Sequence, residues 1–267
     1  MRKRLLFIFL FTVAYFVGFA QNESYKLLKC IDTTGNRIVT DNLGNIYLLE
    51  KSSLKKYDAE GNFLCSYTEL SDGMISGIDV SDPLKIIIIN SDFGKIKFLD
   101  NKLSIRNTPV SLSNLGYPNA SLAAASYESG FWVFDPLSNQ LIRFDNDLQL
   151  SQSSGNISDL IGHAFKPDLI IESGNMVYVN DPQYGIFVFD RYATYMKTIP
   201  VKNILSFKIF KDKLFYPENQ NLKSLDLTTY DEKTLKLPIT DETILGVAID
   251  NRRLSIITKT KFCIYLF

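Results

Sequence analysis

A near-constant spacing of one dipeptide, tight-turn signals ahead of aromatic or β-branched runs, and weak helical periodicity together predict an all-β chain folded as a single six-bladed β-propeller. The dipeptide is an apolar or aromatic residue followed by Asp. It occurs as Tyr57-Asp58, Leu99-Asp100, Phe144-Asp145, Phe189-Asp190 and Leu225-Asp226, with steps of 42, 45, 45 and 36 residues between the aspartates. A short strand-like run precedes each, such as Leu141-Ile142-Arg143-Phe144. An Asp that ends a strand and opens a turn accepts hydrogen bonds from backbone amides two residues on. One structural role repeated five times is therefore expected of these carboxylates, rather than a catalytic or calcium-binding set.

A second strand lies upstream of each dipeptide. Leu43-Gly44-Asn45 introduces Ile46-Tyr47-Leu48-Leu49, Ser129-Gly130 introduces Phe131-Trp132-Val133-Phe134, and Ser173-Gly174-Asn175 introduces Met176-Val177-Tyr178-Val179. Gly and Asn accept positive φ, so these signals read as hairpin turns. In the second unit the run is Ile86-Ile87-Ile88-Ile89, and four consecutive isoleucines predict a strand covered on both faces. A first strand ahead of the turn, as in Gly77-Ile78-Asp79-Val80 or Phe207-Lys208-Ile209-Phe210, and a fourth after the Asp complete an antiparallel unit of about 40 residues. Residues 151–167 are the longest insertion, with a short helical turn at Leu160-Ile161.

Six units follow: five around the Asp anchors and a last one over 246–267. That last unit has three strands. The run Tyr25-Lys26-Leu27-Leu28-Lys29-Cys30 has no unit of its own, and pairing it with the last one closes the ring and removes an exposed edge. Five or seven blades stay open as alternatives, because the fifth unit is short.

Met1-Arg2-Lys3-Arg4 is basic, the run from Leu5 to Val17 is apolar, and Gly18-Phe19-Ala20 offers small residues for cleavage. This pattern predicts a signal peptide over 1–20 and an exported, periplasmic location for the propeller domain at 21–267. The apolar run is shorter than the roughly 20 residues that cross a bilayer, and no membrane span is expected in the mature chain. Removal of Arg2, Lys3 and Arg4 leaves 26 basic against 29 acidic residues, a balance that argues against a nucleic-acid partner.

Three cysteines, Cys30, Cys65 and Cys263, are an odd count at spacings unlike a metal site. With Tyr25 set opposite Phe267, Cys30 faces Phe262; a shift of one residue sets it against Cys263 and allows a disulfide clasp across the ring closure. Buried free thiols are the preferred reading of the two, and Cys65 reads as a small core residue. His163, the one histidine, lies in the 151–167 insertion and reads as a loop residue touching solvent or a backbone carbonyl.

Asn90 and Asn180-Asp181 each follow a long apolar strand. They offer oxygen ligands in principle, but hairpin-turn residues are the preferred reading. The chain has no Gly-x-Ser-x-Gly, His-Glu-x-x-His, phosphate-binding or dinucleotide motif, so no catalytic residue, metal ligand or cofactor is assigned. Trp132, Phe131, Phe134, Tyr178, Phe187 and Phe189 should pack between blades. Tyr184, Tyr192 and Tyr195 sit at or beyond strand ends and are the candidate partner-contact residues.

The segments Asp41-Asn42-Leu43-Gly44-Asn45-Ile46-Tyr47 and Tyr57-Asp58-Ala59-Glu60-Gly61-Asn62-Phe63 resemble the Asp-x-x-Gly-Asn-Ile-Tyr and Tyr-Asp-x-x-Gly pattern of propeller repeats. The resemblance covers nearly all of the chain after residue 20 as architecture and carries no catalytic residue. An exported ring of this size with an Ala20-Gln21 junction is similar to periplasmic propellers of bacteria that use type IX secretion, among them the plug-type subunit at the periplasmic mouth of that translocon. The resemblance implies a non-enzymatic protein-interaction module, a monomer within a complex, docked on an outer-membrane translocation barrel. The alternative is a calcium-dependent hydrolase of the lactonase kind, whose Asn, Asp and Glu ligands converge on the channel, or a carbohydrate-binding propeller.

Overall fold

The computed structural model describes residues 25–71, 73–204, 206–239, 241–250 and 252–266. The export signal predicted at 1–20 lies outside them. The first strand, β1 (Lys26–Asp32), joins the last blade, and the chain then builds five blades in order. Blade one is β2 (Arg37–Thr40), β3 (Ile46–Glu50), β4 (Ser53–Tyr57) and β5 (Phe63–Thr68); blade two is β6 (Gly77–Asp79), β7 (Ile86–Asn90), β8 (Lys95–Leu99) and β9 (Val110–Ser111). Blade three is β10 (Leu122–Ala125), β11 (Phe131–Asp135), β12 (Gln140–Phe144) and β13 (Leu150–Ser153). After the short helix α1 (Ile157–Ile161), blade four is β14 (Leu169–Ser173), β15 (Met176–Asp181), β16 (Gly185–Asp190) and β17 (Tyr195–Ile199). Blade five is β18 (Lys208–Phe210), β19 (Lys213–Glu218), β20 (Asn221–Asp226) and β21 (Glu232–Lys236). Blade six is β22 (Ile244–Ile249), β23 (Arg253–Thr258) and β24 (Lys261–Leu266), completed on its outer edge by β1.

Every blade is an antiparallel meander, and the chain is a six-bladed β-propeller. Its core is divided into six clusters, one in each seam between neighbouring blades. The isoleucine run shows why. Ile86 and Ile88 pack into the seam with blade one, while Ile87 and Ile89 pack into the seam with blade three. Successive side chains of a strand point to opposite faces, so a central strand needs apolar residues at both parities when both faces are covered. Trp132, Phe134, Phe187 and Phe189 fill the seam between blades three and four, Phe131 the seam before it and Tyr178 the seam after it. Each fully buried side chain of this size contributes about 1.5–3 kcal/mol relative to exposure.

The repeated aspartates do what their position predicts. Asp58 accepts from the amides of Glu60 and Asn62, Asp100 from Lys102 and Ser104, Asp145 from Asp147 and Gln149, Asp190 from Tyr192 and Thr194, and Asp226 from Thr228 and Thr229. These bonds hold the carboxylates of Asp100 and Asp226 below the ordinary Asp range.

The closing pair departs from the simple register. Lys26 faces Leu266 and Leu27 faces Tyr265, which continues to the expected pairing, but a bulge then skips Leu28 and sets Lys29 opposite Ile264 and Cys30 opposite Cys263. With Cα atoms 4.1 Å apart, the two cysteines form a disulfide. The reading of free thiols at these two positions is thus corrected, and the physical reason is the extra residue inserted by the bulge. Cys65 is a free, partly buried cysteine packed against the seam between blades one and two, where burial pushes its thiol up.

Candidate functional site

The first strand of each blade lies innermost. Segments from β2, β6, β14, β18 and β22 enclose a central cavity of about 370 Å³. Its wall is mostly apolar, with Val39, Ile78, Ile170, Phe207, Ile209 and Val247 among the lining residues. Charged groups enter it at Arg37, Asp41, Asp79, Glu172, Lys208 and Asp250.

Most of these charges are occupied. Asp41 accepts from the amides of Leu43 and Asn45, the Asn45 side chain and the Tyr47 hydroxyl, the last at 3.0 Å. Glu172 accepts from the Ser126 hydroxyl, the Tyr127 amide and the Trp132 indole, so it ties blade four to blade three. Asp79 accepts from the amides of Ser81 and Ala125, yet burial, aided by the nearby charge of Glu172, raises its carboxyl above the ordinary range. Asp250 accepts from the amides of Arg252 and Arg253. Lys208 donates to the carbonyl and hydroxyl oxygens of Thr40 across the ring, at 3.1 and 2.8 Å, and burial lowers its ammonium below the usual lysine value. Burial also lowers Arg37, and the field of Asp168 only partly opposes it.

The residues singled out in sequence fall elsewhere. Asn90 and Asn180-Asp181 are buried at the ends of β7 and β15, outside the cavity wall. Asn90 donates to the Met74 carbonyl; Asn180 donates to Asp168 and to the Ile204 carbonyl; Asp181 caps its hairpin by accepting from the amides of Gln183 and Tyr184. Only Asp181 acts as a turn residue; Asn90 and Asn180 instead tie their strand ends to the connecting segments, and among the described residues no three His, Cys, Asp or Glu side chains converge as metal ligands. His163 stacks on Tyr184, with ring centres 3.6 Å apart, and its Nδ1 lies 3.1 Å from the Ala164 carbonyl oxygen.

The three candidate tyrosines do not share a surface. Tyr184 precedes β16 and Tyr192 follows it, so they stand at opposite ends of a strand about 20 Å long. Tyr192 is exposed, whereas Tyr195 packs its ring against Phe187 and Phe189 and pairs its hydroxyl with Thr198. Exposed apolar side chains also stand on the end that carries the blade-to-blade connections. Leu70 and Met74, in the connection from blade one to blade two, and Phe93, in the β7–β8 turn, are 79%, 57% and 52% exposed. The segment and the ring touch at Gly73, where a Cβ atom would fall 2.7 Å from the Phe93 ring.

Sequence reasoning missed this patch and the charges of the cavity. The signal for the latter was present: Arg37 and Lys208 are cations in otherwise apolar innermost strands, Arg37-Ile38-Val39 and Phe207-Lys208-Ile209-Phe210. The patch has no local signal, since Gly73 and Phe93 meet only through folding.

No protein-family description matches the chain, and no curated protein matches it. Solved structures do. The Pan2 WD40 domain of Neurospora crassa aligns with a TM-score of 0.67 at 8% identity, covering 92% of this chain and 96% of that one. Virginiamycin B lyase from Staphylococcus aureus aligns at 0.64 and 13% identity, covering 91% and 100%. A catalytically inactive histidine-to-alanine variant of that lyase with quinupristin aligns at 0.58 and 13%, covering 88% and 82%. Likenesses at these identities establish the propeller architecture alone, shared by a WD40 domain and a lyase alike.

Proposed function

We propose that this chain is an exported, non-enzymatic propeller that docks on another protein of the cell envelope, an outer-membrane translocation barrel being the partner class. The observation that carries the reading is the set of exposed apolar side chains Leu70, Met74 and Phe93 on the connection end, where the segment bearing the first two meets the Phe93 ring at Gly73, surface of a kind that a partner commonly covers. The Cys30–Cys263 disulfide supports an oxidising compartment outside the cytosol. Among the described residues no helix is long and apolar enough to cross a membrane, which fits attachment through a partner.

The lyase reading finds less support. The staphylococcal enzyme is inactive as a histidine-to-alanine variant, whereas the one histidine here stacks on Tyr184 outside the central cavity. Against the calcium reading, Asn90 and Asn180 are engaged with the Met74 carbonyl and with Asp168 and the Ile204 carbonyl, and Asp181 accepts from the amides of its own hairpin.

The test is affinity recovery from solubilised envelopes with wild type and the double variant Leu70→Glu/Phe93→Glu. The expected result is an outer-membrane barrel recovered by wild type and lost with the double variant, while Leu43→Glu, on the opposite end, retains it. Recovery of no barrel, or equal recovery by the double variant, overturns the proposal.

A further inference from the structure

The central cavity holds one charged group that the protein does not use. Among the described residues Arg37 makes no hydrogen bond or ion pair; Asp168, whose carboxylate accepts from the Asn180 side chain, acts on it only as a field. A guanidinium carries five donors in a planar fork, and those of the half-buried Arg37 stay open to the cavity instead of meeting an acceptor of the protein. The four carboxylates of the wall are each taken up by amides, hydroxyls or the indole of the protein itself, and Lys208 is spent on Thr40. None is positioned to satisfy Arg37.

A second unpartnered donor stands at the same tier. Thr40 on β2 faces Ile46, which faces Tyr57 ahead of Asp58; Ile209 on β18 faces Leu214, which faces Leu225 ahead of Asp226. Thr40 and Ile209 are therefore equivalent positions, and three residues upstream of them lie Arg37 and Ser206. The Ser206 hydroxyl is buried without a hydrogen-bond partner and also lines the cavity. Blades one and five thus each place a donor without a protein acceptor at one level in the wall of an apolar chamber, Arg37 open to it and Ser206 covered, and the volume falls at the lower end of small-molecule sites.

We propose that the central cavity binds a small aliphatic carboxylate, its carboxylate accepting from the Arg37 guanidinium and the Ser206 hydroxyl and its alkyl portion lying against Val39, Ile78 and Phe207. The guanidinium fork matches a carboxylate with two parallel bonds, which a point cation does not. The apolar wall selects a hydrocarbon body over a fully hydrated inorganic anion. The occupied acids face the same space and disfavour a dianion, which adds charge repulsion without adding donors. This site is independent of the docking patch, which lies on the outer surface of the connection end.

Sodium hexanoate is the probe, added to the purified protein and followed by calorimetric titration and thermal melting. A ligand held only by the folded state raises the melting temperature. Wild type should bind hexanoate in preference to 1-hexanol and to inorganic phosphate, Arg37→Gln should weaken it at least about tenfold, and Ser206→Ala should weaken it less. Arg37→Lys keeps the charge and loses the fork, so it also binds more weakly; it carries the test if Arg37→Gln does not fold by circular dichroism. No response to millimolar hexanoate, undiminished binding by the Arg37 variants, or phosphate bound more tightly than hexanoate overturns the proposal.

Discussion

At one end of the disc, Asp58, Asp100, Asp145, Asp190 and Asp226 each close a turn by accepting from amides two to four residues on. At the other end, the blades are joined by segments 69–76, 112–121, 154–168, 200–207 and 237–243, which differ in length and share no motif. The first end is built by short-range hydrogen bonds that the chain satisfies wherever the dipeptide occurs. The second is held by contacts between segments far apart in sequence, such as Gly73 beneath Phe93 and Glu242 against Lys261 and Thr260. The lesson is that the repeated end serves construction, which leaves the irregular end free to differ and to carry recognition.

The clasp is the strongest long-range tie and the place where that contrast breaks most visibly. It joins residues 233 apart, so reduction or the pair Cys30→Ser/Cys263→Ser should lower stability by about 2–4 kcal/mol in urea unfolding. Melting should then fall with dithiothreitol in wild type and be indifferent to it in the variant. A dithiothreitol-independent wild type would show that the β1–β24 pairing and its seam suffice.

A local turn should cost less. Asp145→Ala removes two backbone acceptor bonds and is expected to destabilise by about 1–2 kcal/mol, whereas Asp145→Asn, which still offers an oxygen to the amides of Asp147 and Gln149, should retain most of that. Equal losses in both variants would mean that charge, rather than turn geometry, is what the position supplies.

The smallest effect belongs to the connection end and depends on pH. Hydrogen bonds from Lys261, Thr258 and Thr260 pull the Glu242 carboxyl from 4.5 down to about 2. A folded value below the unfolded one means that the contribution is complete above about pH 4.5 and is lost as the pH falls toward 2. The acid branch of the melting profile should therefore be shallower in Glu242→Gln than in wild type over that interval. Parallel profiles would show that Glu242 is screened by solvent and contributes nothing measurable.

Blade number, strand order within a blade and the ring-closing role of residues 25–30 were legible because they follow from alternation and turn chemistry within about 40 residues. The pairing of Cys30 with Cys263 was not, since it depends on one bulged residue, Leu28, in a strand pair joined across the whole chain. The cavity went unread: Arg37 and Lys208 are cations in otherwise apolar strands, a signal left unused, and whether each is satisfied depends on blades one, four and five meeting. Tyr184 and Tyr192, read from sequence as lying at strand ends, stand at opposite ends of β16.

Periodicity and turn residues by themselves determined that this chain is a ring of antiparallel modules, because a strand's two-residue repeat and an aspartate's reach to nearby amides are short-range physics. Tertiary structure alone decided which donors go unmatched at the axis, which apolar tips adjoin on the surface and which thiols meet. Those outcomes depend on the register and spacing of strands brought together from distant parts of the chain, where a single extra residue moves every later contact.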